Sequence, residues 1–157
     1  MDISGESVAG NRFRVTMMLC DHAQVAEGKL FISGGGWSNT STPTEPTAVA
    51  VLLQVPWGEA NRRLKFALRL LNGDGRVVLQ PGPAGQPIAI ESVGTVEVGR
   101  PPGLPEGSML HTPLAIKVAP LLLEPGRYVW EFSLDGRTED DWNLTFNARV
   151  RSDRVNG

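Results

Sequence analysis

The chain has 157 residues, 41% of them hydrophobic and 20% charged, with a formal net charge of −2. That length holds one domain with a sizeable core, and scattered arginines without a basic stripe exclude a reader of phosphate backbones, so no nucleic-acid partner is expected. The single cysteine, Cys20, rules out an intrachain disulfide and suits a reducing compartment, and no apolar run approaches the roughly 20 residues of a membrane-spanning helix.

In chain order, residues 1–11 are small and polar and form a tail, 12–151 make the domain, and 152–157 a second tail. The opening MDISGESVAGNRFR lacks a basic segment followed by an apolar run, so the expected location is cytoplasmic. From Phe13 to Cys20 apolar side chains alternate with a period of two, the mark of a half-buried strand. Lys29 to Ser33 is the second strand, reached through a loop holding Asp21 and His22. Glycines 34–36 close it, and the polar run from Ser38 to Pro46 is a long loop. Thr47 to Val55 is apolar on both faces and needs cover on both sides. Pro56 ends that strand, and residues 57–61 form a short connection.

Leu64, Phe66, Leu68 and Leu70 alternate with Arg63, Lys65, Ala67 and Arg69. The turn Asn72-Gly73-Asp74-Gly75 then joins this strand to Arg76–Gln80 as a hairpin. Pro81 to Pro87 is a loop, Ile88 to Val98 is extended with a kink expected at Gly94, and Arg100 to Gly107 is a loop. Leu114, Ile116 and Val118 mark a strand. Tyr128–Leu134 and Trp142–Val150 form the last pair, joined by an acidic turn, with Trp130 and Trp142 in the core.

Eight or nine strands without a core helix point to an all-β domain, an antiparallel β-sandwich of immunoglobulin-like or C2-like form. The stretch Leu123-Glu124-Pro125-Gly126-Arg127-Tyr128 resembles the approach to the penultimate strand of immunoglobulin-like sandwiches, where a tyrosine bonds back to upstream backbone. A wider set of motifs comprises Cys20-Asp21-His22-Ala23, Gly28-Lys29-Leu30, Gly34-Gly35-Gly36-Trp37, Val55-Pro56-Trp57 and Pro125-Gly126-Arg127-Tyr128. Together these resemble a bacterial family common in actinobacteria that carries only a domain-of-unknown-function label, over Phe13 to Val150. The resemblance implies a small cytoplasmic bacterial domain and supplies no catalytic residue.

Strand parity gives an expected layout of the loops. Asp21, His22, Trp57 and Glu59 fall at one end, and the glycine run with Trp37, Asp74 and the turn Asp135–Asp141 at the other. Three site readings follow. Asp74 and Asp135, Glu139, Asp140 and Asp141 would converge as oxygen ligands for calcium, against their ordinary use as turn formers. Asp21 and His22 would serve a hydrolase; Cys20 and Asp21 do not both face one substrate, since successive strand residues face opposite ways, and Cys20 is better placed as a small strand residue. Ser33–Gly36 lacks the following helix that a phosphate cradle needs. Trp37 and Trp57, at loop edges, are candidate platforms for a ligand or partner. No cofactor is expected. The apolar strand Thr47–Val55 and the run Pro120–Leu123 make self-association or another protein partner the expected role, ahead of the calcium and hydrolase alternatives.

Overall fold

The computed structural model describes residues 12–151; the expected tails, 1–11 and 152–157, lie outside the described residues. Among the described residues eleven strands are formed: β1 (Arg14–Ala26), β2 (Lys29–Gly35), β3 (Asn39–Thr42), β4 (Thr47–Val55), β5 (Arg63–Asn72), β6 (Leu79–Pro81), β7 (Pro87–Ala89), β8 (Glu91–Glu97), β9 (Leu110–Val118), β10 (Gly126–Leu134) and β11 (Asn143–Val150). Among the described residues the only helical element is one 3₁₀ turn at Trp57–Glu59. A four-stranded sheet runs β2-β1-β4-β9, a five-stranded sheet runs β3-β11-β10-β5-β8, and β6 and β7 form a small ribbon. One core draws on both larger sheets, with Val49, Val51, Leu53 and Val55 of β4 and Leu64, Leu68, Trp130, Phe132 and Phe146 of the other sheet.

The count exceeds the expected eight or nine for two local reasons. β3 reads Asn-Thr-Ser-Thr and has no apolar alternation; it is a strand because it pairs in parallel with β11, from Asn39 opposite Asn147 to Thr42 opposite Val150. That pairing also makes the five-stranded sheet mixed rather than purely antiparallel. Residues 88–98 divide at Ile90 into β7 and β8, since Ile90 donates to Val78 O and accepts from Leu70 N, both at 3.0 Å, while its neighbours pair elsewhere. The expected kink at Gly94 is absent, because β8 stays in register with β5 from Glu97 to Glu91. Gly94 instead makes room for an aromatic ring: a Cβ there would lie 2.7 Å from Cζ of Phe66, whose ring is stacked on Phe132.

β1 departs furthest from expectation. It continues through Asp21 and His22 to Ala26, so the expected loop is strand, and the chain reverses at Glu27-Gly28. Its first half pairs with β4 and its second half with β2. Leu30 of β2 and Ala115 of β9 pack on one cluster with Cys20, Ala23, Ala48 and Ala50. In a flat sheet β1 and β4 would hold β2 and β9 apart by roughly 14 Å, at 4.7–4.9 Å per strand. The β1–β2 hairpin therefore folds back over the outer face of β4 and β9, and the alanines let it approach closely. The outer face of β4 is covered by its own chain, which corrects the expectation that it needs a partner.

The Pro120–Leu123 run is divided in the same way. Leu121 and Leu123 enter the core while Leu122 is 85% exposed. Two buried threonines hold this segment. Thr42 Oγ1 donates to Leu123 O at 2.7 Å and accepts from Leu123 N at 2.9 Å. Thr44 Oγ1 accepts from Leu121 N at 2.7 Å, and Thr44 N donates to Leu121 O at 2.8 Å. Tyr128 Oη donates to Glu124 O at 2.6 Å, the backward bond expected at the start of β10.

Candidate functional site

Asp21 and Gly34 face each other across the β1–β2 ladder, between the pairs Cys20–Gly35 and His22–Ser33. Gly34 has φ of +60°, and a Cβ there would overlap the Asp21 carboxylate. Two constraints thus select glycine, the left-handed backbone and the room taken by the acid. Beyond Gly35 the chain crosses toward the other sheet, with Gly36 N donating to Leu19 O at 2.7 Å. Trp37 follows, half-buried and edge-on to Phe146 with centroids 6.1 Å apart. Its Nε1 is buried and has no acceptor among the described residues.

These residues line one open hollow of about 680 Å³, walled by Asp21, Trp37, Asn39, Thr40 and Glu45 over Gly34 and Gly35. The parity layout had set Asp21 and Trp37 at opposite ends. The extension of β1 past Asp21 and the return of β2 along it bring them together. No donor reaches the Asp21 carboxylate among the described residues. Glu45 takes Nη2 of Arg151 at 3.4 Å, and the same nitrogen donates to Pro43 O.

The other expected constellations are not assembled. Asp21 and His22 are successive residues of β1 and take opposite faces of the strand, so the acid–base pair of a hydrolase does not form. Cys20 is fully buried, with Sγ donating to Ala48 O at 3.5 Å, and burial pushes its thiol pKa up, which makes it a poor nucleophile. Asp74 lies just past Asn72 at one end of β5, in a turn where Asn72 Oδ1 accepts from Asp74 N and Arg76 N. Asp135 bonds Lys65 near the other end, roughly 23 Å along the strand at 3.3 Å per residue. The expected convergence of Asp74 with Asp135, Asp140 and Asp141 is therefore overturned. Among the described residues no three His, Cys, Asp or Glu side chains are grouped to hold a metal ion.

A second hollow, of about 500 Å³ beside Asp135, is bordered by ion pairs. Asp135 Oδ1 accepts from Lys65 N at 3.0 Å and Oδ2 from Arg62 Nη1 at 3.0 Å, while Arg62 Nε donates to Glu59 at 2.6 Å. The Lys65 amide and the Arg62 guanidinium hold the Asp135 carboxyl below its ordinary pKa. A depressed carboxyl stabilises the fold above its unfolded value of about 4 and loses that effect as pH falls through the folded value. The stability difference between the natural chain and Asp135→Asn is accordingly expected to be full at neutral pH and to shrink as pH falls below the unfolded value of about 4. Urea unfolding across that range checks it; a difference independent of pH would contradict the assignment.

Trp57 carries Arg100 over its ring at 4.7 Å, and the same guanidinium donates to Trp57 O at 2.7 and 3.2 Å. Arg100, Arg62 and Glu45 were missed by sequence reasoning, because each acts across long sequence separations that periodicity does not register.

The model of a family described as a family of unknown function, DUF6941, matches residues 15–147. The chain belongs to that family. The comparison with curated proteins gives no match. Among solved structures, the DUF6941 chain aligns with the Pseudomonas fluorescens alkylpurine DNA glycosylase AlkC bound to DNA containing an abasic site analog, at 13% identity and a TM-score of 0.37. The alignment covers 87% of this chain and 30% of that one.

Proposed function

We propose that this DUF6941 domain is a non-enzymatic binding and assembly module, a β-sandwich of immunoglobulin-like form that pairs with a second copy of itself through the outer edge of β2. The observation that carries this reading is the composition of that edge. Sheet edges are normally blunted by charge, proline or shortness. β8 is flanked by Glu91 and Glu97, β9 contains Pro113 and Lys117, and β3 is four polar residues long. β2 reads Lys-Leu-Phe-Ile-Ser-Gly-Gly, with its one charge at the turn. Phe31 and Ile32 are 49% and 41% exposed, and Val25 beside them 44%. Among the described residues no strand pairs with the outer side of β2. An antiparallel pairing of two β2 strands about a two-fold axis satisfies both rows of backbone groups and covers these side chains.

A cytoplasmic setting belongs to the same reading, supported by the lone, buried Cys20. Trp37, two residues past the end of β2, enters it as the aromatic next in the chain to that strand, and Trp57 as a separate candidate platform. Sedimentation equilibrium tests the proposal: a reversible dimer is expected. Phe31→Lys is expected to weaken it at least about tenfold, since burying a phenylalanine contributes roughly 1.5–3 kcal/mol, with no change in the unfolding transition at concentrations where both chains are monomeric. A strict monomer at high concentration overturns the proposal.

A further inference from the structure

We propose that the hollow between Asp21 and Trp37 recognises the guanidinium or ammonium group of a basic side chain on a partner protein. Aspartate is disfavoured inside strands, yet Asp21 lies mid-strand with its carboxylate exposed over Gly34. No ion pair or hydrogen bond among the described residues explains its presence there. The glycine seat fixes the carboxylate from below and leaves its oxygens open above. Glu45, which Arg151 meets at the rim, adds a second carboxylate, no lysine or arginine among the described residues lines the hollow itself, and Trp37 offers an aromatic wall against which a cationic head or its aliphatic stem packs.

The rim already holds a group of this class, since the Arg151 guanidinium sits between Glu45 and the Pro43 carbonyl. An anion has no donor cluster here. A hard metal ion wants six or more oxygens, and Asp21 and Glu45 alone fall far short. A basic side chain needs one open carboxylate and a flat apolar surface, and both are present. The inference is independent of pairing at β2, because it concerns the Asp21 carboxylate and the Trp37 ring rather than the outer backbone edge.

The test is a titration of the full chain with N-acetyl-arginine amide, following the Trp37 indole N–H by NMR, with N-acetyl-glutamine amide and calcium chloride in parallel. A saturable shift of the Trp37 signal with the arginine compound alone is expected. Asp21→Asn, nearly isosteric and on an exposed side chain, is expected to weaken binding at least about tenfold, as loss of a charge-assisted hydrogen bond does. Glu45→Gln gives a smaller loss. No shift at tens of millimolar, an equal shift with the glutamine compound, or undiminished binding by Asp21→Asn would each overturn the proposal, as would a response to calcium alone.

Discussion

Replacing Thr42 by valine is expected to lower unfolding stability by about 3 kcal/mol, because one isosteric change leaves both the N–H and the C=O of Leu123 without their buried partner. Thr42 Oγ1 serves both groups at once, and Thr42 is only 7% exposed. Valine preserves volume, so the loss reports the hydrogen bonds rather than packing. Together with the two bonds from Thr44 to Leu121, they hold the Leu121–Leu123 segment in the core. Thr42→Ser, which keeps the hydroxyl, is expected to lose about 1 kcal/mol or less. Urea unfolding with an unchanged m-value measures both; a valine loss as small as the serine loss would contradict the account.

The second large effect is at Gly34. Gly34→Ala carries two costs, about 1–2 kcal/mol for a side chain in the left-handed region and about 1–3 kcal/mol for overlap with the Asp21 carboxylate. The first cost stays whatever stands at position 21, whereas the second depends on the acid. In a double-mutant cycle with Asp21→Ala, the combined loss is expected to fall short of the sum by about 1 kcal/mol or more. Simple additivity would mean that Asp21 does not rest on Gly34, and the hollow would lose its architecture.

Much of the fold is legible in the sequence, since alternation is a local signal. The paired strands β10 and β11 and the strand β5 follow directly from Tyr128–Leu134, Trp142–Val150 and Leu64–Leu71. The Tyr128 bond to Glu124 follows from a six-residue pattern. What alternation does not register is pairing between distant segments. Asn39–Thr42 has no periodicity of its own and is a strand only because β11 lies beside it. Asp21 and His22 are polar residues at the end of an apolar run, so they imitate a loop; the Glu27-Gly28 turn is where the chain reverses. That extension of six residues, Asp21 to Ala26, moves Asp21 from one end of the domain to the side of Trp37. The apolar surplus on β4 is likewise legible, but its cover is not, because small residues at 20, 23, 48, 50 and 115 act only when the hairpin folds over them.

Those corrections remove one motive for self-association, the outer face of β4, and concentrate the case on the outer edge of β2. Amide hydrogen exchange along Lys29–Gly35 as a function of protein concentration tests it most directly. The amides that β1 does not bond are expected to exchange rapidly in dilute solution and to gain protection as concentration rises, with Phe31→Lys abolishing the gain. Exchange of those amides that stays rapid and independent of concentration would contradict assembly through this edge.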